Sequence, residues 1–144
     1  MDAELLELVW RRAHARCEYC QLAQELSQLT FEIDHIVARK HGGKTRSSNL
    51  ALSCFYCNSF KGSNTAGLDR ETRKLTRLYH PRIHTWHRHF RWDGPYLDGR
   101  TAIGRHETGQ SKSATGIWAY PVSNGRPNRH TADGLALALG FAPR

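Results

Sequence analysis

Cys17-Glu18-Tyr19-Cys20 and Cys54-Phe55-Tyr56-Cys57-Asn58-Ser59-Phe60-Lys61 bracket the stretch Phe31-Glu32-Ile33-Asp34-His35-Ile36, and this arrangement decides the fold. Each Cys-x-x-Cys turn lets two sulfurs reach one ion. The two turns converge on a tetrahedral Zn²⁺ only if the segment between them folds back on itself. All four cysteines of the chain are used in this way. Two disulfides or a redox pair are the competing readings. A redox motif needs one pair rather than two, and no secretory signal places the chain in an oxidising compartment. The loop closed by the metal is long enough to hold an active site, so zinc is expected to contribute much of the folding free energy.

Outward from the cysteines, Leu5, Leu6, Val9, Trp10 and Ala13 recur at helical spacing with Glu4, Glu7, Arg11 and Arg12 opposite. This predicts an amphipathic helix over 3–16, begun by Asp2. Residues 22–29 have room for a further short helical stretch. Phe31 to Ile36 alternates as a half-buried strand does, with Glu32 and Asp34 on one face and Phe31, Ile33 and His35 on the other. Adjacent strand residues point to opposite faces, so Asp34 and His35 diverge unless the strand end bends. His41-Gly42-Gly43-Lys44 reads as a loop, and Ser47 or Ser48 as the cap of a short helix through Asn49-Leu50-Ala51-Leu52. A second helix is expected to start near Asn58 and stop around Gly62. From about residue 68 the chain is rich in Arg, His and Trp, and from about 104 it is dense in Gly, Ser, Asn and Pro and reads as loop.

The 144 residues, 39% hydrophobic, suit one ordinary domain or a small domain with an extension. Lys and Arg outnumber Asp and Glu by 21 to 13, giving a net charge of +8. A balance this basic makes a polyanion the expected partner. Nothing approaches the ~18–20 apolar residues of a membrane span, and Asp2, Glu4 and Glu7 stand where a secretory leader would be basic and apolar. A soluble, cytoplasmic protein with no membrane partner is expected.

The succession Cys17-x-x-Cys20, Glu32-x-Asp34-His35-Ile36, Gly42-Gly43, Ser48-Asn49-Leu50, Cys54-x-x-Cys57-Asn58-x-x-Lys61-Gly62 resembles the zinc-stapled HNH endonucleases over about residues 17–62. The resemblance implies an α+β fold, a small ββα-metal finger (His-Me finger) stapled by a four-cysteine zinc, with an N-terminal helix and a C-terminal extension. It implies hydrolysis of phosphodiester bonds of DNA with Mg²⁺ or Mn²⁺ as catalytic cation beside the structural Zn²⁺. By the same resemblance His35 is the general base, Asp34 and Asn58 hold the divalent cation, and Asn49 orients His35 or its loop. The chemistry agrees: imidazole accepts a proton near neutral pH, and carboxylate and carboxamide oxygens suit a hard cation. Two protein ligands leave coordination places for phosphate and water.

Each of these residues also has a plainer reading. Asn49 and Asn58 can be helix caps, His35 a packed strand histidine, and Glu32, on the face of Asp34, either a helper of the metal or a solvated acid. Lys61, His41, Lys44, Arg39, Lys40 and Arg46 are candidate phosphate contacts, which set affinity and not sequence choice. Leu78-Tyr79-His80-Pro81-Arg82, Trp86, His89-Phe90-Arg91-Trp92 and Gly104-Arg105 resemble an extension of one bacterial branch of these proteins. Trp86, Phe90 and Trp92 are expected to pack it onto the finger. His84, His87 and His89 have no carboxylate cluster beside them and are not read as a metal site. The expected organisation is a nuclease domain over 1–67, an extension over 68–105 and a divergent tail over 106–144. A metal-dependent endonuclease is the favoured class, and a zinc-stapled nucleic-acid-binding module without catalysis is the alternative.

Overall fold

Asp2 starts the first helix, α1 (Ala3–Arg12), by accepting the Leu5 N–H on its Oδ1 at 2.7 Å. The computed structural model describes residues 1–69, 71–93 and 96–109, together with short strands at 118–119, 122–123 and 126–127. Helix α1 ends at Arg12, short of the predicted residue 16, because His14 and Ala15 both turn to φ 53° and swing the chain back toward Cys17. Val9 and Ala13 bury its apolar face. Arg12 donates to the carbonyls of Ser47 and Leu50 at 3.0 and 2.7 Å, fixing α1 against the middle of the finger. The first cysteine turn is closed by Cys17 N–H to Leu22 O and Gln21 N–H to Cys17 O, both 2.8 Å.

Strand β1 (Glu32–His35) pairs antiparallel with β2 (Leu50–Ser53), in the register Glu32 to Ser53 through His35 to Leu50. The helix expected through Asn49 to Leu52 is absent. A single 3₁₀ turn, Ser47–Asn49, leads straight into the strand. All four residues of β2 are buried, and so short an apolar run has no periodicity that separates strand from helix. The free edge of β1 settles it. Helix α2 (Phe55–Lys61) starts three residues before the expected Asn58. Cys54 is its N-cap, its Sγ accepting the Cys57 N–H at 3.4 Å, so a sulfur of the cysteine cluster also starts the helix. It stops at Gly62 as the sequence predicts. β1, β2 and α2 make the ββα unit, and the four cysteines lie together against it.

The extension opens with the hairpin β3 (Ala66–Leu68) and β4 (Leu75–Arg77). It continues through α3 (Trp86–His89), β5 (Phe90–Asp93) and β6 (Tyr96–Gly99) to α4 (Ala102–Gly109). The Trp86 indole donates to Tyr19 O at 2.9 Å, the Trp92 indole donates to Cys20 O at 3.1 Å, and Phe90 is fully buried between them and the core. These contacts clamp the extension onto the first cysteine turn. Helix α4 occupies residues that read as loop, and it crosses residue 105, the expected end of the extension. Gly104 lies inside this helix. A Cβ there would stand 2.0 Å from His89 O, so this glycine serves close packing of α4 on α3 and not a turn. Within the expected tail, β7 (Trp118–Ala119) adds to β6, and β8 (Val122–Ser123) pairs with β9 (Arg126–Pro127). The apolar stretch Leu135 to Leu139 lies outside the described residues. No helix among the described residues is long and apolar enough to cross a membrane.

Arg105 ties the hairpin to α4, pairing with Asp69 and, at 3.0 Å, with the exposed Glu71. Asp69, fully buried, accepts from Arg105 Nε and Nη2 at 3.1 and 3.0 Å and from the Thr72 hydroxyl and amide at 2.6 and 3.1 Å. The Arg105 guanidinium and Thr72 hold its carboxyl well below the usual carboxylate range. A carboxyl depressed by folding stabilises the fold above its unfolded value of about 3.9 and loses that contribution as pH falls below it. Protection of the Thr72 and Arg73 amides, measured as exchange relative to the intrinsic rate at each pH, is therefore expected to fall below about pH 4, whereas Asp69→Asn should lower that protection already at neutral pH and flatten its pH dependence.

Candidate functional site

The sulfurs of Cys17, Cys20, Cys54 and Cys57 all lie within 4.8 Å of one another, and those of Cys20 and Cys54 are 3.8 Å apart. Zinc–sulfur bonds of about 2.3 Å at tetrahedral angles separate the sulfurs by about 3.8 Å. The donor set therefore fits a structural Zn²⁺. Burial pushes the Cys20 thiol well up, the other sulfurs push Cys57 up, and hydrogen bonds from Cys17 and its neighbours pull Cys54 down. Thiols crowded this way cannot all ionise without a cation among them.

On the face of β1 toward α2 stand Glu32 and Asp34, and one turn apart on α2 stand Asn58 and Lys61. They pair off. Asn58 Nδ2 donates to Glu32 Oε2 at 2.5 Å, and Lys61 Nζ lies 3.1 Å from Asp34 Oδ2 and 3.3 Å from Oδ1. Lys61 also donates to the carbonyls of His35 and Gly62 at 3.3 and 3.4 Å. Both members of the Lys61–Asp34 pair are buried. Lys61, read from sequence as a phosphate contact, is thus engaged inside the finger. A second donor to Asp34 was not anticipated: the Tyr19 hydroxyl, 2.5 Å from Oδ2. Burial raises the Asp34 carboxyl above its ordinary range, with Lys61 and Tyr19 pulling the other way.

His35 and Asp34 diverge as strand neighbours do. The His35 ring is half-buried, and its Nε2 is hydrogen-bonded to Thr45 Oγ1 at 2.8 Å. Asn49, 7% exposed, holds the loop that leaves His35. Its Oδ1 accepts the Val37 N–H at 2.9 Å, while its Nδ2 donates to Val37 O and Lys44 O, both at 3.0 Å. Gly42 takes φ 86°, and Gly43 passes so close beneath that a Cβ would meet Val37 O at 1.7 Å. Along this loop Arg39, Lys40, His41, Lys44 and Arg46 are all exposed. Asn49→Ala removes three hydrogen bonds and takes their side-chain partner from the half-buried Val37 N–H and C=O, so it should lower stability by about 1–3 kcal/mol, read as a shift of the urea midpoint.

Residues 17–64 match the HNH endonuclease family model. The match spans both cysteine turns, β1, β2 and α2. No curated protein and no solved structure matches the chain. An HNH segment ties this region to nuclease or nucleic-acid-related chemistry and to a divalent metal. Among the described residues the four cysteines of the HNH segment are the one group of three or more metal-binding side chains that converge. His84, His87 and His89 do not join such a group.

Proposed function

We propose that the chain is a metal-dependent endonuclease that hydrolyses phosphodiester bonds of DNA, with His35 as general base and Asp34 and Asn58 as protein ligands of one Mg²⁺ or Mn²⁺. The observation that carries this reading is the end of β1, where the Thr45-held His35 imidazole adjoins a face bearing two carboxylates and a carboxamide. That face offers hard oxygen donors and suits such a cation. When bound, the cation polarises the scissile phosphate and stabilises the departing 3′ oxygen. His35 takes the proton from the attacking water, and Thr45 sets the angle of its ring. Asn49 keeps the loop beyond His35 in place, and the basic side chains of that loop meet neighbouring phosphates. Lys61 neutralises Asp34 in a buried pair, and a cation held by Asp34 would take over that charge compensation.

The same Lys61–Asp34 pair is the one observation that favours a nucleic-acid-binding module without catalysis, since it gives Asp34 a structural occupation. Manganese uptake separates the two. In an electron paramagnetic resonance titration of zinc-loaded protein, the free Mn²⁺ signal should fall, and Asp34→Asn should restore it. If zinc-loaded protein takes up no Mn²⁺, with or without a phosphorothioate oligonucleotide, the catalytic reading fails and the binding module replaces it.

A further inference from the structure

Between the HNH segment and the extension lies a cleft of about 550 Å³. Ile36, Val37, Leu78 and Ile83 form its apolar wall, and Lys61, Arg77, His80 and His84 supply nitrogen. No carboxylate among the described residues lines it. The cleft begins where the candidate site ends, because Ile36 and Val37 follow His35 directly and Lys61 is shared with Asp34. Two of its imidazoles have a fixed polarity. His80 Nδ1 accepts the Arg82 N–H at 3.1 Å, and His84 Nδ1 accepts the His80 N–H at 2.9 Å. The proton of each neutral ring therefore sits on Nε2, leaving that atom as a donor. Burial lowers both rings from the ordinary imidazole value, which keeps them in this neutral form. Arg77 and Ile83 are exposed, Ile83 at 71%, so the cleft is open at the extension side.

An apolar wall beside N–H donors and a guanidinium, with no acid, matches the chemistry of a nucleotide: a flat base with one phosphate. The volume falls in the range of small-molecule sites, about 300–1,000 Å³, and is far too small for a duplex. A base can reach the apolar wall only out of its stack. We propose that this cleft holds one unstacked nucleotide of the bound strand, its base against Ile36, Leu78 and Ile83 and its phosphate on Arg77, His80 and His84. The proposal rests on the nuclease reading for the identity of that strand. It implies a preference for single-stranded or locally unpaired nucleic acid.

The test is fluorescence anisotropy with three labelled oligonucleotides: a perfect duplex, the same duplex with one unpaired nucleotide, and the single strand. Zinc-loaded protein is used with no Mg²⁺ or Mn²⁺ added. The wild type should bind the latter two roughly tenfold more tightly than the duplex, the scale of one base stacked on a protein surface. Arg77→Glu and Ile83→Glu, both at exposed positions and checked for folding by circular dichroism, should each remove most of that preference. Arg11→Glu on α1, with the same charge change as Arg77→Glu, should weaken all three alike. Equal or tighter binding of the perfect duplex by the wild type, or a preference that survives both cleft substitutions, overturns the proposal. Plasmid cleavage is read separately. Cleavage without the preference sinks the cleft alone, and the preference without cleavage under any metal sinks the nuclease reading and leaves the cleft standing.

Discussion

Cys54→Ala is expected to cost the chain its cooperative fold as well as its zinc. Cys54 does three things at once. It follows the last residue of β2, it caps α2 through the Cys57 amide, and its sulfur lies 3.8 Å from that of Cys20 on the other turn. The turn that holds Cys20 also carries the carbonyls that receive Trp86 and Trp92, so losing the staple loosens the finger and the extension together. Structural zinc contributes about 10–16 kcal/mol of apparent binding free energy near neutral pH, against a net stability of about 5–15 kcal/mol for a whole domain. Thermal melting followed by circular dichroism should lose its sigmoid transition in Cys54→Ala, and metal analysis should find well under one zinc per chain. A variant that melts cooperatively near the wild-type temperature would show that the cysteines are not a folding staple.

His35→Ala is expected to lower the cleavage rate by about 10²–10⁴-fold, the usual contribution of a positioned general base, while leaving the fold intact. The ring is half-buried, and the one side-chain hydrogen bond it makes among the described residues is to Thr45, so its removal opens no core cavity. Single-turnover cleavage of a labelled oligonucleotide gives the rate, and anisotropy on the same oligonucleotide gives the affinity. A large loss of rate with affinity held within about twofold marks an interaction made in the transition state. Parallel loss of both would make His35 a binding residue.

The parts of this fold that were legible from sequence are those with local causes. Asp2 signals a helix start because a short acceptor before an apolar period satisfies orphan amides, and the alternation from Phe31 to Ile36 signals a strand because side chains repeat every two residues. The cysteine spacing signals a staple because the two sulfurs of each turn reach one ion. Where sequence and structure differ, the cause is a distant partner or an unusual local one. Leu50 to Ser53 is a strand because β1 pairs with it, and α2 begins at Phe55 because a sulfur takes the role of a capping oxygen. Gly104 sits in a helix because α4 lies against the carbonyl of His89.

The candidate site divides in the same way. His35, Asp34, Asn49 and Asn58 stand out through their order in the chain. Tyr19 does not, since it reaches Asp34 across 15 residues of sequence, and its only local signal is its place inside a cysteine turn. Lys61 stood out as a basic residue near the site, and basic charge alone does not distinguish a phosphate contact from a partner for a buried carboxylate. Burial of both groups makes that distinction.

The most direct measurement is cleavage of supercoiled plasmid by purified protein of confirmed zinc content, with Mg²⁺, with Mn²⁺ and with no added cation, beside His35→Ala. The account predicts nicked or linear product that requires the added cation and is lost in the variant. Intact plasmid under every condition, from protein that binds DNA and holds its zinc, would contradict it.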